Sequence, residues 1–580
     1  MLLLLWKFNP KPEEDRTLEE FKFNDRLSVK DDDIIIHFLS TYFLSKEDIA
    51  LSKFPNLLKF LSLCKVEMNK NYLNNKAATD FLYSIATKIQ DDLMLEICSS
   101  NYVGLMIDES TDVTSTKYLT INLKYLHKNE VKEKFCGLFQ IHNSDANGIF
   151  SVLLDFLNQY NLLHKVCALS TDGAAVMLSE DNGVAGKLLS YTKNKNMLIN
   201  HCLSHRLNLG AKDLWKHDVS LNGFNSTIHC ICTYFSSSSK RIKILDEEQE
   251  ILFEAHLKLL KPIDIRWLSI YNVIARIFEI YPAIIKALEL IVKSESCVVA
   301  EGLLSRMRSV HFVSLLHIFK DLIIYLQPLN DLFQKQELIL SEAFHEIDMT
   351  LETLQELVDS DSQGNYFEKF CSDNNDVENV KFHNIELSNL YGVRINNMKN
   401  KSKELQKILL SHLKSRFPCQ KELKLFTIFD IKKISQIETE TERRSYGNEN
   451  LESLINKYNL NKAEVLVEWE KLKVHVRNHF STSKEIWHFA LSSVSFQNIR
   501  LLFQIYLVIP LSTAGCERTF SKLNNIKTDL RNRMESTTLQ AHMMLSCNGP
   551  DLDNIEQLDI QNTIDNWRDI KDRRFSFKKK

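Results

Sequence analysis

From residue 102 the apolar residues of this chain stop recurring every three or four positions and fall instead into short runs, one of which, at 117–126, alternates. A period of two is that of a strand, whose side chains point in turn to opposite faces. "YVGLMID" (102–108) is a short apolar run that ends on an acid. In "KYLTINLKYL" (117–126), Leu119, Ile121, Leu123 and Tyr125 fall on one face. "EKFCGLFQI" (133–141) reads as a third strand, and "GIFSVLLDFLNQYNLL" (148–163) as an amphipathic helix. "KVCALSTD" (165–172) is a fourth strand, again ending on an acid. "NMLIN" (196–200) reads as a short fifth strand, and "CLSHRLNLGAKDLW" (202–215) returns to helix. This order predicts a small α/β core: an antiparallel meander of three strands, a crossover helix, then a fourth strand.

Almost everything else reads as helix. Only 14 of 580 residues are glycine and 9 are proline, so helix breakers are scarce. Upstream of the alternating region, "DIALSKFPNLLKFLSL" (48–63) and "AATDFLYSIATKIQDDLMLEIC" (77–98) carry the helical period. Residues 1 to about 30 are mixed, charged and expected to be loosely ordered. From 218 to 496 long amphipathic runs dominate, such as "VIARIFEIYPAIIKALELIV" and "LLHIFKDLIIYLQPLNDLF". Polar breaks fall at "FSSSSK" and "CSDNNDVEN"; "IETETERRSYGNEN" (437–450) reads as a surface loop or linker. "IRLLFQIYLVI" (499–509) reads as an inter-chain or core strand.

A chain of 580 residues is too long for one ordinary domain. Its net charge of −3 gives no global basic field, so nucleic-acid contact would use local patches. "KNKSKELQKILLSHLKSRF" and "KTDLRNRM" are such patches, or else solvated helix faces. Twelve cysteines with no CxxC read as reduced thiols of an intracellular protein. "MLLLLW" is too short and lacks the flanks of a signal peptide. No run approaches the roughly 18 apolar residues of a membrane span. A soluble nuclear or cytoplasmic protein is expected, although so abrupt a start is also what a truncated reading frame would give.

Asp108 and Asp172 stand at the ends of the first and fourth strands. Functional groups of α/β sheets collect at strand ends. Two neighbouring carboxylates repel and invite a divalent cation. The alternative is that each caps a turn, or that Asp172 starts a helix. Near the end of the chain, "IPLSTAGCERTFSKLNNIKTDLRNRM" (509–534) leads from a proline into a helix. On it, Cys516, Phe520, Leu523, Ile526 and Leu530 form an apolar stripe, and Glu517 lies off it with Ser521, Asn524 and Thr528. An acid on the first strand, one after the fourth and one on a late helix are the parts of an RNase H-like two-metal site. The distance in sequence between Asp172 and Glu517 requires an inserted domain.

"YVGLMIDESTDVTSTKYLTINLKYL", "ALSTDGAAVM", "HCLSHRLNL", "DIRWLSIYNVI" and the 509–534 stretch together resemble the hAT family of DNA transposases, in family order. The resemblance is to the branch of transposon-derived proteins, and the last stretch resembles the C-terminal dimerisation signature. It implies an RNase H-like core interrupted by a large helical insertion, α/β plus all-α and mostly helical overall. The corresponding division is residues 1–98, an N-terminal helical region; 99–217, the first part of the core; 218–490, the insertion; 491–547, the second part of the core with the dimerisation region; and 548–580, a polar tail.

The resemblance assigns Asp108, Asp172 and Glu517 as catalytic, metal-holding acids, with Mg²⁺ or Mn²⁺ as cofactor and no small-molecule cofactor. Glu109 and Asp112 lie near the first acid without matching its position. Arg266 and Trp267 match the family's RW pair, whose Trp stacks on a flipped base. Cys202 and His205 match its CxxH motif at i and i+3, a spacing that shares a helix face. Zinc there is disfavoured for want of paired short motifs, even with His229, Cys230 and Cys232 following. DNA and further copies of the chain, as a homodimer or higher homo-oligomer, are the implied partners, in the nucleus and away from membranes. Family members usually begin with a BED-type zinc finger; this sequence lacks its Cys and His pairs, and Ser110 stands where many active relatives have Trp. Two functions are implied: metal-dependent strand cleavage and transfer, or a domesticated regulator acting through dimerisation and binding, a class in which SUMO-ligase labels occur. A plain RNase H-type nuclease is disfavoured by the helical insertion and the dimerisation signature.

Overall fold

The computed structural model describes residues 34–569, apart from 254–256, 260–268, 375–378, 389–394, 419–420, 480–482 and 530. The chain forms two compact units. One runs to Asn200, then takes up Ile431–Tyr446 and everything from Leu454. The other comprises His201–Asp430 and Gly447–Ser453.

The first unit holds the five-stranded sheet. Its strands are β1 (Val103–Thr111), β2 (Lys117–His127), β3 (Glu130–Gln140), β4 (Val166–Thr171) and β5 (Leu198–His201), in spatial order β3-β2-β1-β4-β5. β1, β2 and β3 pair antiparallel, and β4 lies parallel to β1. The β2–β3 hairpin turns on Lys128 and Asn129, both at positive φ, as a two-residue turn matched to strand twist requires. The crossover helix Ala146–Gln159 starts where the Asp145 carboxylate accepts the Gly148 N–H at 2.7 Å. It stops before the expected residue 163, and a short 3₁₀ turn, Leu163–Lys165, feeds β4.

The register sorts the sheet into two faces. Val103, Leu105 and Ile107 of β1 lie opposite Tyr125, Leu123 and Ile121 of β2, all buried in one apolar cluster. That cluster includes the helix Asn75–Ser99, capped by Asn74, and reaches Phe38, Phe81 and Trp567, whose rings meet within 6 Å. The alternate residues, Gly104, Met106 and Asp108, lie opposite Lys124, Asn122 and Thr120 and face the other way.

Two stretches take a different form from the one their composition suggests. Residues 499–509 lie mainly in a helix, Gln497–Val508, with Ile499, Leu502, Phe503, Ile505, Tyr506, Leu507 and Val508 buried. A continuous apolar run buried on most sides carries no usable period, so strand and helix read alike. Residues 437–450 are not a linker: they carry the helix Glu440–Ser445, capped by Thr439, and the start of Asn448–Tyr458.

Among its described residues the second unit is helical apart from a ribbon of Lys381–Phe382 and Ile385–Glu386. Its central helix, Val310–Phe333, is long and apolar enough to cross a membrane by length and composition. Most of it is instead buried in the unit, where Phe319 stacks on Trp215 with ring centroids 4.6 Å apart. The N-terminal residues expected to be loosely ordered lie outside the described residues.

Candidate carboxylate site

Parallel pairing places the first two acids. Met106 of β1 lies beside Ser170 of β4. The pairing ends there; Asp108 and Asp172 each stand two residues further on, close enough for the Asp172 charge to act on Asp108. The Asp108 carboxylate accepts the Glu109 N–H at 2.9 Å, and Asp172 accepts the Ala174 N–H at 3.2 Å. Asp172 therefore also organises its turn, but it caps no helix: the helix Ala175–Leu178 begins after Ala174 with no side-chain cap.

Burial, and then the Asp172 charge, push the Asp108 carboxyl up to about 8; the Glu109 N–H pulls the other way. Burial and Asp172 also raise Glu109, against Lys117. Asp108, Glu109 and Asp172 thus gather three carboxyl groups near the end of β1, where ionisation of one opposes that of the next.

The segment that carries Glu517 is laid across the same face. A Cβ on Gly104 would overlap the Val508 carbonyl and press on Pro510, so only glycine lets that segment so close. Lys124 Nζ donates to the Ile509 carbonyl at 3.2 Å. Asn200 Nδ2 donates to the Pro510 and Leu511 carbonyls at 3.2 and 3.1 Å. The helix Ala514–Ile526 then packs on β1, β2 and β3, with Gly515 against the Glu133 carboxylate and Asn122. Glu517 is half-buried on its first turn, next to Arg518, which pairs with Glu133 at 2.8 Å.

The helix ends at Ile526, short of the predicted Leu530, which lies outside the described residues. Its buried stripe uses Thr519 where Phe520 was expected; Phe520 is half-buried. The fold therefore brings Asp108 beside Asp172 and puts the Glu517 helix on their sheet. Among the described residues, no group of three or more His, Cys, Asp or Glu side chains stands ready to hold a metal ion.

Several neighbours escape sequence reasoning. Lys527 is buried against Asp112, and Glu133 and Asn200 hold the 508–518 segment. Nothing in the local pattern marks contacts between residues hundreds of positions apart.

Cys202 and His205 belong to the helical unit. Cys202 is buried at the position before the helix Leu203–His217, so it does not share a helix face with His205. The His205 ring lies 5.4 Å from that of His201, whose imidazole is lowered to about 3 by burial and then by Arg206, His205 and Arg416. Arg266 and Trp267 lie outside the described residues. The basic 399–417 stretch is largely engaged within its own unit: Lys401 pairs with Asp218 and Glu404, Lys403 with Asp361, and Arg416 with Asp213. In "KTDLRNRM", Lys527 and Arg531 also turn inward, the latter to the Asp48 carbonyl at 3.1 Å.

Two family models match. The ZMYM1/FAM200 RNase-like domain covers residues 45–183, and with them β1 to β4, Asp108 and Asp172. The hAT family C-terminal dimerisation region covers residues 464–548, and with them Glu517. The chain is an hAT-type transposase-like protein. The dimerisation region of this hAT-type chain supports homo-oligomerisation. Its two matched regions meet on one sheet: the second contributes the helix that lies on the strands of the first.

Proposed function

We propose that this hAT-type protein acts on DNA in the nucleus as a homo-oligomer, cleaving and transferring strands with Mg²⁺ or Mn²⁺. The observation that carries this reading is the Asp108–Asp172 pair: Asp108 lies within β1 just past its pairing with β4, Asp172 directly follows β4, and the Asp172 charge raises the Asp108 carboxyl. Such a pair has the donor chemistry of a hard divalent cation. Asp108 and Asp172 would hold the ion, and Glu517 would complete the set from its helix. When bound, the ion supplies Lewis acidity at the phosphate and an activated oxygen nucleophile. The chain's own part is to hold the two carboxylates together, fix their turns through the Glu109 and Ala174 N–H groups, and keep the Glu517 helix on the sheet. Arg266 and Trp267 are proposed to contact DNA.

A second reading is a non-catalytic regulator that keeps the fold for assembly and binding. What favours it is that the described acids form no ready three-residue metal cluster. The test is nicking of a transposon-end-like duplex by purified protein with Mg²⁺ or Mn²⁺, beside Glu517→Gln and Asp108→Asn. Cleavage lost in both variants supports the first reading. A folded, oligomeric wild type that cleaves nothing supports the second.

A further inference from the structure

A charged pair that the proposed chemistry does not use lies at the far end of the Glu517 helix. Lys527 directly follows that helix, and its side chain is 5% exposed; that of Asp112 is 1% exposed. The ammonium donates to the Asp112 carboxylate, to Thr114 Oγ1 at 3.2 Å and to the Tyr118 hydroxyl at 3.3 Å. The other Asp112 oxygen accepts the N–H groups of Thr114 and Thr116 at 2.8 and 2.9 Å, and the Thr114 hydroxyl at 2.7 Å. One carboxylate thus shapes the β1–β2 turn and grips the end of the helix. Asp112 stands four residues beyond Asp108 on the same strand end. At its other end the helix is held by Arg518 on Glu133 of β3.

Desolvating such a pair commonly costs as much as the pair returns, and a well-packed apolar pair of equal volume would serve stability as well. The best-attested use of a buried pair is to fix one register against alternatives. We propose that Asp112 and Lys527 are positioning residues, whose ion pair latches the Glu517 helix to the strand end bearing Asp108 so that the third acid is presented to the other two. This rests on the carboxylate site proposed above. The Arg518–Glu133 pair is the second point of the latch, and two points fix both the slide and the swing of a helix on a sheet.

The test uses full-length Lys527→Met, Lys527→Arg and the double variant Asp112→Asn/Lys527→Met. Three readouts are compared: urea stability, amide exchange over residues 520–526, and Mg²⁺-dependent nicking. Lys527→Met leaves a buried charge alone and should lose stability. The double variant removes both charges and should regain it. The latch predicts that the regained stability does not restore the site. Exchange over 520–526 should stay at least about tenfold faster than in wild type. Nicking should stay down by on the order of a hundredfold, in kcat more than in KM, because a small displacement of a catalytic group has that effect. Lys527→Arg should recover part of both.

Wild-type protection and nicking in the double variant would overturn the proposal and leave the pair a structural one. A wild type that nicks nothing would count against the carboxylate site itself. The exchange readout would then decide the latch alone: wild-type protection over 520–526 in the double variant overturns it, and persistent loss of protection supports it.

Discussion

On one side of β1, Val103, Leu105 and Ile107 join an apolar cluster of helices and strands; on the other, Gly104, Met106 and Asp108 look onto Lys124, Asn122, Thr120, Ser170 and Asn200. The same strands build both faces, and both are buried. The first is held by area removed from water, which any well-fitting apolar side chain supplies. The second buries ammonium, amide and hydroxyl groups, a cost unless each meets a partner. Much of that partnering comes from the segment 508–527, through the Ile509, Pro510 and Leu511 carbonyls, Arg518 and Lys527. A sheet face so dependent on one late segment ties the fold of the unit to the placement of Glu517.

The contrast can be broken from either side. The largest effect is expected at Lys527→Met, which strands the Asp112 charge; removing one partner of a buried pair costs about 3–5 kcal/mol, measurable by urea unfolding. On the apolar face, Leu105→Ala should cost about 2–5 kcal/mol through lost burial and the cavity left behind. Its loss should fall on global stability and leave the metal dependence of nicking unchanged. Gly104→Ala adds a single methyl group beneath the Val508 carbonyl and should cost about 1–3 kcal/mol as overpacking, with exchange rising first in the 508–526 segment.

Asp108→Asn should have the opposite sign. The folded protein keeps the Asp108 proton up to about pH 8, whereas the unfolded chain releases it near its ordinary value of 3.8. Stability therefore falls as pH rises through that window. The variant should match wild type near pH 4 and gain a growing advantage in thermal unfolding toward pH 8. Divalent cation added to wild type at pH 8 should shrink the difference.

The sheet was legible from the alternation at 117–126 and the short apolar runs at 102–108, 133–141 and 165–172, but the strand ends were not: β1 runs three residues past Asp108, to Thr111, and β4 stops one residue short of Asp172. The Glu517 helix was legible from its stripe as far as Ile526. The exit from that helix was hidden: Lys527 leaves it with φ −106° and ψ 99° to reach Asp112, a partner no local period announces. The helix Gln497–Val508 was misread as a strand because its exposed side is too small to break the apolar run. The short helices in 437–458 were hidden by charge, although Thr439 with Glu442 three residues on is a capping pattern that could have revealed the first. The basic faces at 399–417 and 527–533 looked available to phosphate because most of their partners, such as Asp218, Asp361 and Asp213 for the first and Asp112 and the Asp48 carbonyl for the second, lie far away in sequence.

The central claim is that Asp108 and Asp172 form the seat of a divalent cation. The most direct measurement is a Mn²⁺ titration of the full-length protein at pH 7.5, read by loss of the free-ion paramagnetic signal and by proton release, beside Asp108→Asn and Asp172→Asn. The account predicts saturable binding by wild type with release of a proton from Asp108, weakened at least about tenfold in each variant. Binding that is absent, or equal in wild type and both variants, would contradict it.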